Sequence, residues 1–181
     1  MRFYIGFLPD SQFIAQYERI ITDISALFGL TDLAKKARTP HITIKSPGEI
    51  EDIFPVERML SYYEFSASDL MTSIGDVDVF NEGEEVIHFP VENPRIQELA
   101  GIVLRDLRKL ELPGVTWGRY DSSDKLMHIT IAKRSEIKNK GDEVLDYLRS
   151  QRFSLPLRLE SLAIFRKENG RTSIHSSYPF L

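Results

Sequence analysis

The sequence predicts an α+β fold, because segments rich in β-forming residues alternate with segments that show helical periodicity. A second observation is a repeat: the tetrapeptide His-Ile-Thr-Ile occurs at 41–44 and again at 128–131, 87 residues later and close to half the chain length. No low-complexity linker divides the 181 residues, and 42% of them are hydrophobic. We therefore expect a single domain, 1–181, built from two similar units.

The first half of the chain predicts strands and helices in alternation. The opening RFYIGFL segment is rich in β-formers, and Thr39-Pro40 favours an extended entry into the first His-Ile-Thr-Ile segment. Pro47-Gly48 predicts a turn. The predicted elements are a strand at 2–8, a helix capped by Asp10 or Ser11 and ended by Gly29, a strand at 41–45 and a helix at 53–63. The predicted buried stripe of the first helix is Ile14, Tyr17, Ile21, Ile24 and Phe28.

The second half repeats this alternation. Acidic and glycine-bearing stretches, notably NEGEE at 81–85, separate β-rich pieces between 65 and 91, which predict two or three antiparallel strands. Asn93-Pro94 opens a helix whose predicted buried stripe is Ile96, Leu99, Val103, Leu107 and Leu110. The remaining predicted elements are an irregular loop at 111–125, a strand at 128–132, a short helix near 141–150 and two strands at 153–166 and 171–180, joined by an Asn169-Gly170 hairpin.

Composition narrows the class of function. The formal net charge of -4 argues against a long nucleic-acid duplex as partner, because duplex binding requires a basic face. The absence of cysteine excludes disulfides, thiol nucleophiles and thiolate metal sites. The apolar stretch from Phe3 to Leu8 ends at Pro9 and is too short for a signal peptide, and no stretch approaches a membrane span. We expect a cytoplasmic protein that needs no membrane.

The repeated tetrapeptide carries the chemistry. Side chains alternate along a strand, so His41 and Thr43 face one way while Ile42 and Ile44 enter the core, and His128 and Thr130 do the same in the second copy. Two imidazoles can take and give a proton near neutral pH, and threonine hydroxyls can donate to phosphate oxygens. This set suits metal-free cleavage of a phosphodiester. A single such motif would more often be ordinary strand sequence, but the duplication favours catalysis.

The segments PHITIK (40–45) and HITIAK (128–133), with the opening RFYIGFLPD, resemble the 2H phosphoesterase superfamily, which includes bacterial RNA 2′,3′-cyclic phosphodiesterases and 2′-5′ RNA ligases. The resemblance implies two pseudo-symmetric lobes of antiparallel sheet with flanking helices, and an active-site cleft between them. It implies His41 and His128 as catalytic residues, Thr43 and Thr130 as phosphate ligands, and a nucleotide or RNA end carrying a cyclic phosphate as partner. No cofactor or metal is expected, and reversible ligation is one implied activity.

Two lysines are added as candidate phosphate ligands. Alternation puts Lys45 on the face of His41, whereas Lys133 falls off the face of His128, and Lys133 stands where many cyclic phosphodiesterases carry arginine. The other histidines, His88 and His175, are interpreted as structural. Three aromatic residues are candidates for stacking a base: Trp117, Tyr120 and Phe180. A non-catalytic nucleotide- or RNA-binding protein and a metal-dependent hydrolase remain alternatives, and the oligomeric state stays open.

Overall fold

Every strand pairing in the structure is antiparallel, and helices accompany the sheet, which confirms the predicted α+β class. The structure is a computed structural model that describes residues 2–35, 39–80, 85–118, 120–122, 124–168 and 171–181. Its strands are β1 (Arg2–Pro9), β2 (Ile42–Glu49), β3 (Met71–Ile74), β4 (Asp78–Phe80), β5 (Val86–Pro90), β6 (His128–Lys133), β7 (Leu155–Glu168) and β8 (Arg171–Pro179). Its helices are α1 (Ser11–Phe28), α2 (Thr31–Lys35), α3 (Phe54–Leu60), α4 (Pro94–Lys109), α5 (Arg134–Ile137) and α6 (Gly141–Ser150), with a 3₁₀ turn at Ala67–Asp69.

The sheet has two halves that meet at a single position. Its strand order is β3-β7-β1-β2-β6-β5-β4, and β8 also pairs with β7. The pairing of β1 with β2, and of β5 with β6, extends over several residues, whereas β2 and β6 share one pair among the described residues, Ile42 opposite Ile129. One His-Ile-Thr-Ile copy therefore lies in each half, directly at the junction.

The two long helices follow the predicted start and stop signals. The Asp10 carboxylate accepts a hydrogen bond from the amide of Phe13 at 2.9 Å, and Gly29 closes α1 in a left-handed conformation with φ of 66°. In α4 the Asn93 side chain caps the first turn, and the predicted apolar stripe is buried as far as Leu107. Among the described residues, no helix is long and apolar enough to cross a lipid bilayer.

The predicted stripe of α1 is confirmed at Tyr17 and Ile24 and wrong at its other three positions. The large apolar side chains that α1 buries are Phe13, Tyr17, Ile20 and Ile24, while Ile14, Ile21 and Phe28 are only partly buried. Two overlapping apolar rows run along this helix, and both satisfy helical spacing. The periodicity alone therefore could not decide which row packs against the sheet.

The predicted turn at Pro47-Gly48 is also wrong, because β2 runs through it to Glu49. Gly48 pairs with Phe3 of β1, and the register of the two strands shifts between Phe3 and Ile5. Such a bulge is one of the few places where a strand accepts proline, whose nitrogen cannot donate to the ladder. The proline-glycine pair thus marks an irregular strand.

Three strands occupy the segment between 65 and 91, as predicted, but they do not form one unit: β4 pairs with β5, while β3 pairs with β7. Residues 81–84 of the NEGEE run lie outside the described residues, as does the Asn169-Gly170 turn. The hairpin is nevertheless confirmed, because Glu168 pairs with Arg171. The irregular loop is also confirmed for the described residues of 111–125, as is the helix at 141–150, whereas α2 and α5 were not predicted.

Candidate active site

The two copies of the repeat face each other across the junction of the sheet. Ile42 pairs with Ile129, and both side chains are fully buried in the core shared with the helices. When this antiparallel register is extended by one residue, His41 lies across from Thr130 and Thr43 lies across from His128. A local two-fold axis between the two isoleucines therefore relates the copies. Alternation puts these histidines and threonines together on the sheet face away from the isoleucines.

Each imidazole makes the same hydrogen bond to the backbone carbonyl two residues before it in the chain. Nδ1 of His41 lies 2.9 Å from the carbonyl oxygen of Thr39, and Nδ1 of His128 lies 3.2 Å from that of Leu126. A carbonyl oxygen only accepts, so Nδ1 carries a proton and donates in both residues. Nε2 is then the atom of each ring that can exchange a proton with a substrate.

Aromatic side chains hold both imidazole rings. The ring of His41 lies 5.1 Å from that of Tyr4 and 4.6 Å from that of Phe165, which stack on each other. On the other side of the junction, the ring of His128 meets Phe80 edge-on at 4.9 Å. These contacts restrict the orientation of both rings.

The electrostatic environment of His128 favours the neutral imidazole. The pKa of His128 is lowered to about 4, chiefly by burial and also by the neighbouring His88, Lys125 and His41, which together outweigh the opposing effect of the bond to Leu126. At neutral pH, His128 is therefore a proton acceptor at Nε2.

We expect an NMR titration of the His128 ring to report a pKa near 4. Because an unfolded histidine titrates near 6.5, the unfolded chain binds this proton first as the pH falls. The free energy of unfolding should accordingly decrease between about pH 6.5 and 4, and a His128→Gln variant should lose that part of the decrease. A His128 pKa of about 6.5 or higher in the free protein would contradict this description of the site.

A third histidine, His88, packs beside His128. The side chain of His88 is fully buried, its ring stacks on Phe80 at 3.9 Å, and it meets the ring of His128 edge-on at 5.2 Å. Its Nδ1 donates to the carbonyl of Val86 at 3.2 Å, and burial lowers its pKa. His88 lies opposite Thr130 in the β5–β6 ladder, so it belongs to the wall of the site. His175 lies elsewhere, 3.2 Å from the carboxylate of Glu57.

Lys45 does not present its ammonium to the site, which corrects the expectation of direct phosphate contact. Its side chain is 1% exposed, and Nζ donates to Asp121 at 2.9 Å and to the carbonyl of Ser46 at 3.0 Å. The other carboxylate oxygen of Asp121 accepts from the amide of Ser46. Lys45 therefore fastens the loop between α4 and β6 to β2.

Of the candidate aromatic residues, Trp117 lies in this same loop. Its ring packs between Lys45 Nζ at 5.1 Å and the Arg108 guanidinium at 4.6 Å. Tyr120 is exposed, and Phe180 packs against Phe7 in the core.

Lys133 lies at the end of the second motif and Lys125 lies three residues before it, and the two side chains take different positions. Lys133 ends β6, where its amide donates to the buried carboxylate of Glu136, and alternation puts its side chain on the face of Ile129 and Ile131. Lys125, which the sequence analysis did not select, is partly buried, and its Nζ donates to the carbonyl of Ile44. No sequence signal identified Lys125, because it lies in an irregular loop without periodicity.

Gly6 is required where β1 passes the first motif. It pairs with Thr43, and a Cβ at this position would lie 2.7 Å from the carbonyl oxygen of Ile42. Gly6→Ala is therefore expected to cost about 1–3 kcal/mol in a urea-unfolding experiment and to lower turnover by displacing the first motif. Gly48→Ala is the matched control, because its nearest neighbour would be a Phe3 ring atom at 3.5 Å. Equal stability of the two variants would show that β1 and β2 are not so closely apposed.

Within the described part of the chain, no three histidine, aspartate or glutamate side chains cluster as metal ligands would. At the level of sequence, no family model and no curated protein matches this chain.

Solved structures with the same fold cover nearly the whole chain. One described as a phosphoesterase is 10% identical, covers 99% of this chain and 97% of its own, and has a TM-score of 0.60. The protein TT0787 of Thermus thermophilus is 13% identical, with 99% and 98% coverage and a TM-score of 0.58. Usb1 of Kluyveromyces marxianus is 12% identical, with 99% and 98% coverage and a TM-score of 0.53. The chain therefore shares its fold with these proteins over its full length.

Proposed function

We propose that this protein is a metal-independent phosphodiesterase of the 2H phosphoesterase superfamily that opens cyclic phosphates. The nucleoside or RNA-end 2′,3′-cyclic phosphate is the proposed substrate. The observation that carries the proposal is the pairing of the two His-Ile-Thr-Ile copies about a local two-fold axis. In both copies Nδ1 of the imidazole donates to the backbone carbonyl two residues earlier. The shared fold with a solved phosphoesterase is consistent with this assignment.

In the proposed reaction, His128 acts as the general base and His41 as the general acid. Neutral His128 takes a proton from water at Nε2 while the water oxygen forms a bond to phosphorus. The ester bond from phosphorus to one ribose oxygen breaks, and protonated His41 gives its Nε2 proton to that oxygen. The low pKa of His128 supports this division of roles, because it keeps that ring neutral near pH 7.

The two threonines are proposed to bind the phosphate. Thr43 and Thr130 lie diagonally across the junction, so their hydroxyls can donate to two non-bridging oxygens as negative charge grows there. Lys45 acts on the site only through Asp121 in this proposal, and Lys133 has no direct contact with the phosphate. Ligation would be the same attack on the cyclic ester with an RNA 5′-hydroxyl in place of water: its oxygen bonds to phosphorus while the ester bond to one ribose oxygen breaks and that oxygen is protonated. It needs no ATP because the cyclic ester carries the activation.

The decisive experiment is a turnover screen with and without EDTA. Nucleoside 2′,3′-cyclic phosphates and short RNAs with a 2′,3′-cyclic end should be opened at equal rates in both conditions, while 3′,5′-cyclic nucleotides serve as a comparison. Activity that disappears in EDTA would replace the proposal with a metal-dependent hydrolase. Binding of these ligands without turnover would indicate a non-catalytic nucleotide-binding protein.

The threonine roles can be tested by isosteric substitution. Thr43→Val and Thr130→Val each remove one hydroxyl donor and keep the branched shape, so each is expected to lower kcat by about 10²-fold or more. Thr72→Val on β3, far along the sheet, is the control and should keep full activity. Unchanged kcat in both motif variants would mean that the threonines serve only as strand residues.

A further inference from the structure

The ammonium of Lys125 lies beside the end of the first motif. Its Nζ donates to the carbonyl of Ile44, the residue after Thr43, and Lys125 lies three residues before His128. Its backbone is held independently, because the Lys125 carbonyl accepts from Nε2 of Gln97 at 3.1 Å. The Lys125 side chain therefore connects the loop before the second motif to the strand of the first motif.

The charges around this ammonium do not balance. Asp121 is the carboxylate that attracts Lys125, yet its oxygens already accept from Lys45 Nζ and from the amides of Ser46 and Gly118. Two ammoniums thus share one carboxylate, and no carboxylate in the described part of the chain forms an ion pair with Lys125 at contact distance. The guanidinium of Arg108 adds no countercharge, since it donates to the Asp121 carbonyl. The cluster carries a net positive charge in a partly buried setting.

An uncompensated positive charge in a partly buried setting is unfavourable in free energy unless an anion neutralises it. The pKa of Lys125 is lowered to about 8 because burial and the charge of Lys45 together outweigh the opposing attraction of Asp121. An anion beside Nζ would reverse this effect and raise the pKa. The chemistry that fits this uncompensated charge is that of a phosphate held by the neighbouring threonines.

We propose that Lys125 is a further phosphate-binding residue of the site, in which its ammonium neutralises the phosphate that Thr43 and Thr130 hold. This inference rests on the proposed function. The competing interpretation is structural: the ammonium only fastens the loop to β2 through Ile44. The two interpretations differ in whether the charge of the side chain matters or only its capacity to donate a hydrogen bond.

Two variants of Lys125 separate charge from hydrogen bonding. Lys125→Gln keeps a donor for the Ile44 carbonyl and loses the charge, whereas Lys125→Arg keeps both. We expect Lys125→Gln to raise the Kd for inorganic phosphate by about tenfold or more, in line with the loss of one charge-assisted hydrogen bond. Lys125→Arg should stay close to the wild type. Lys138→Gln, which removes an exposed lysine paired with Asp32, is the matched control and should change nothing.

A spectroscopic readout tests the contact directly. The Nζ resonance of Lys125 in the wild type should show a pKa that rises when inorganic phosphate saturates the protein, whereas that of Lys138 should not move. Wild-type phosphate affinity in Lys125→Gln, or a Lys125 pKa that phosphate leaves unchanged, would overturn the proposal. Phosphate binding that does not occur at all in the wild type would overturn it as well.

Failure of the two proposals can be told apart. Phosphate binding that depends on the charge of Lys125, in a protein that turns over no cyclic ester, would support the Lys125 site and overturn the proposed catalytic function. Turnover of a cyclic phosphate with equal phosphate affinity and equal KM in wild type and Lys125→Gln would keep the function and remove Lys125 from the phosphate site.

Discussion

His41→Ala and His128→Ala are each expected to lower kcat/KM for a 2′,3′-cyclic phosphate by about 10²–10⁴-fold, the usual contribution of a positioned acid or base. Because the proposed acid and base would act on one reaction step, the double variant should be little worse than either single variant. Folding should survive, because the neighbouring Ile42 and Ile129 supply the packing at this point of the sheet. Steady-state kinetics and a thermal melt on each variant provide the measurements.

His175→Ala is the control for these variants, since its imidazole is paired with Glu57 outside the site. It should keep wild-type activity. If it loses as much activity as the motif variants, or if either motif variant retains full turnover, then the pair His41 and His128 is not the catalytic unit. Independent losses that multiply in the double variant would mean that the two imidazoles do not act together.

Asp121→Ala should be the most destabilising single substitution considered for this protein, at about 3–5 kcal/mol. It leaves the ammonium of Lys45 buried with no carboxylate, and both side chains of this ion pair are 1% exposed. It also removes the acceptor for the amides of Ser46 and Gly118. Urea unfolding monitored by tryptophan fluorescence measures the loss, because Trp117 packs on Lys45.

A double replacement tests whether the unpaired charge is the cause. Lys45→Met combined with Asp121→Leu removes both charges and should recover much of the lost stability. Glu98→Ala, which breaks the exposed pair with Arg95, should have no measurable effect. An Asp121→Ala variant as stable as the wild type would show that water or a neighbouring group satisfies Lys45.

The same ion pair has a defined pH dependence. Burial opposes ionisation of Asp121, but the hydrogen bonds from Gly118, Ser46 and Lys45 outweigh it and hold the pKa of this carboxyl below its ordinary value. The unfolded chain therefore protonates Asp121 first. The stabilisation is complete above the ordinary aspartate pKa of about 3.9 and is lost as the pH falls through the lower pKa of the folded protein.

The parts of the structure that depend on local sequence were predictable. Asp10 and Gly29 mark the ends of α1 because capping and left-handed conformation are properties of a few adjacent residues. The facing of His41 and Thr43 follows from strand alternation alone. The continuation of β2 through Pro47-Gly48 was not predictable, because it depends on pairing with β1, about 45 residues away in the chain.

The charged groups around the motifs were least predictable. Strand alternation alone predicts Lys45 on the face of His41, but the register shift between Ile5 and Gly6 sets Lys45 opposite the buried Ile5. Its partner Asp121 lies 76 residues further along the chain in an irregular loop. Lys125 reaches the carbonyl of Ile44 from the same loop, 81 residues away. Neither contact has a periodic signature, since only the tertiary fold brings a loop to a strand. The sequence therefore yields candidate reacting groups, but not the charged groups that surround them.

The junction at Ile42 and Ile129 has a mechanical consequence. Among the residues that the structure describes, one pair joins β2 to β6, so a rotation of one half of the sheet against the other breaks few strand-to-strand hydrogen bonds, whereas deformation within either half breaks a long ladder. We therefore expect such a rotation to change the separation of the two imidazoles more than the spacing of strands within either half. In amide hydrogen exchange, the amides flanking this junction should open at lower free energy than those of β1 and β7, and a phosphate that bridges the halves should slow them.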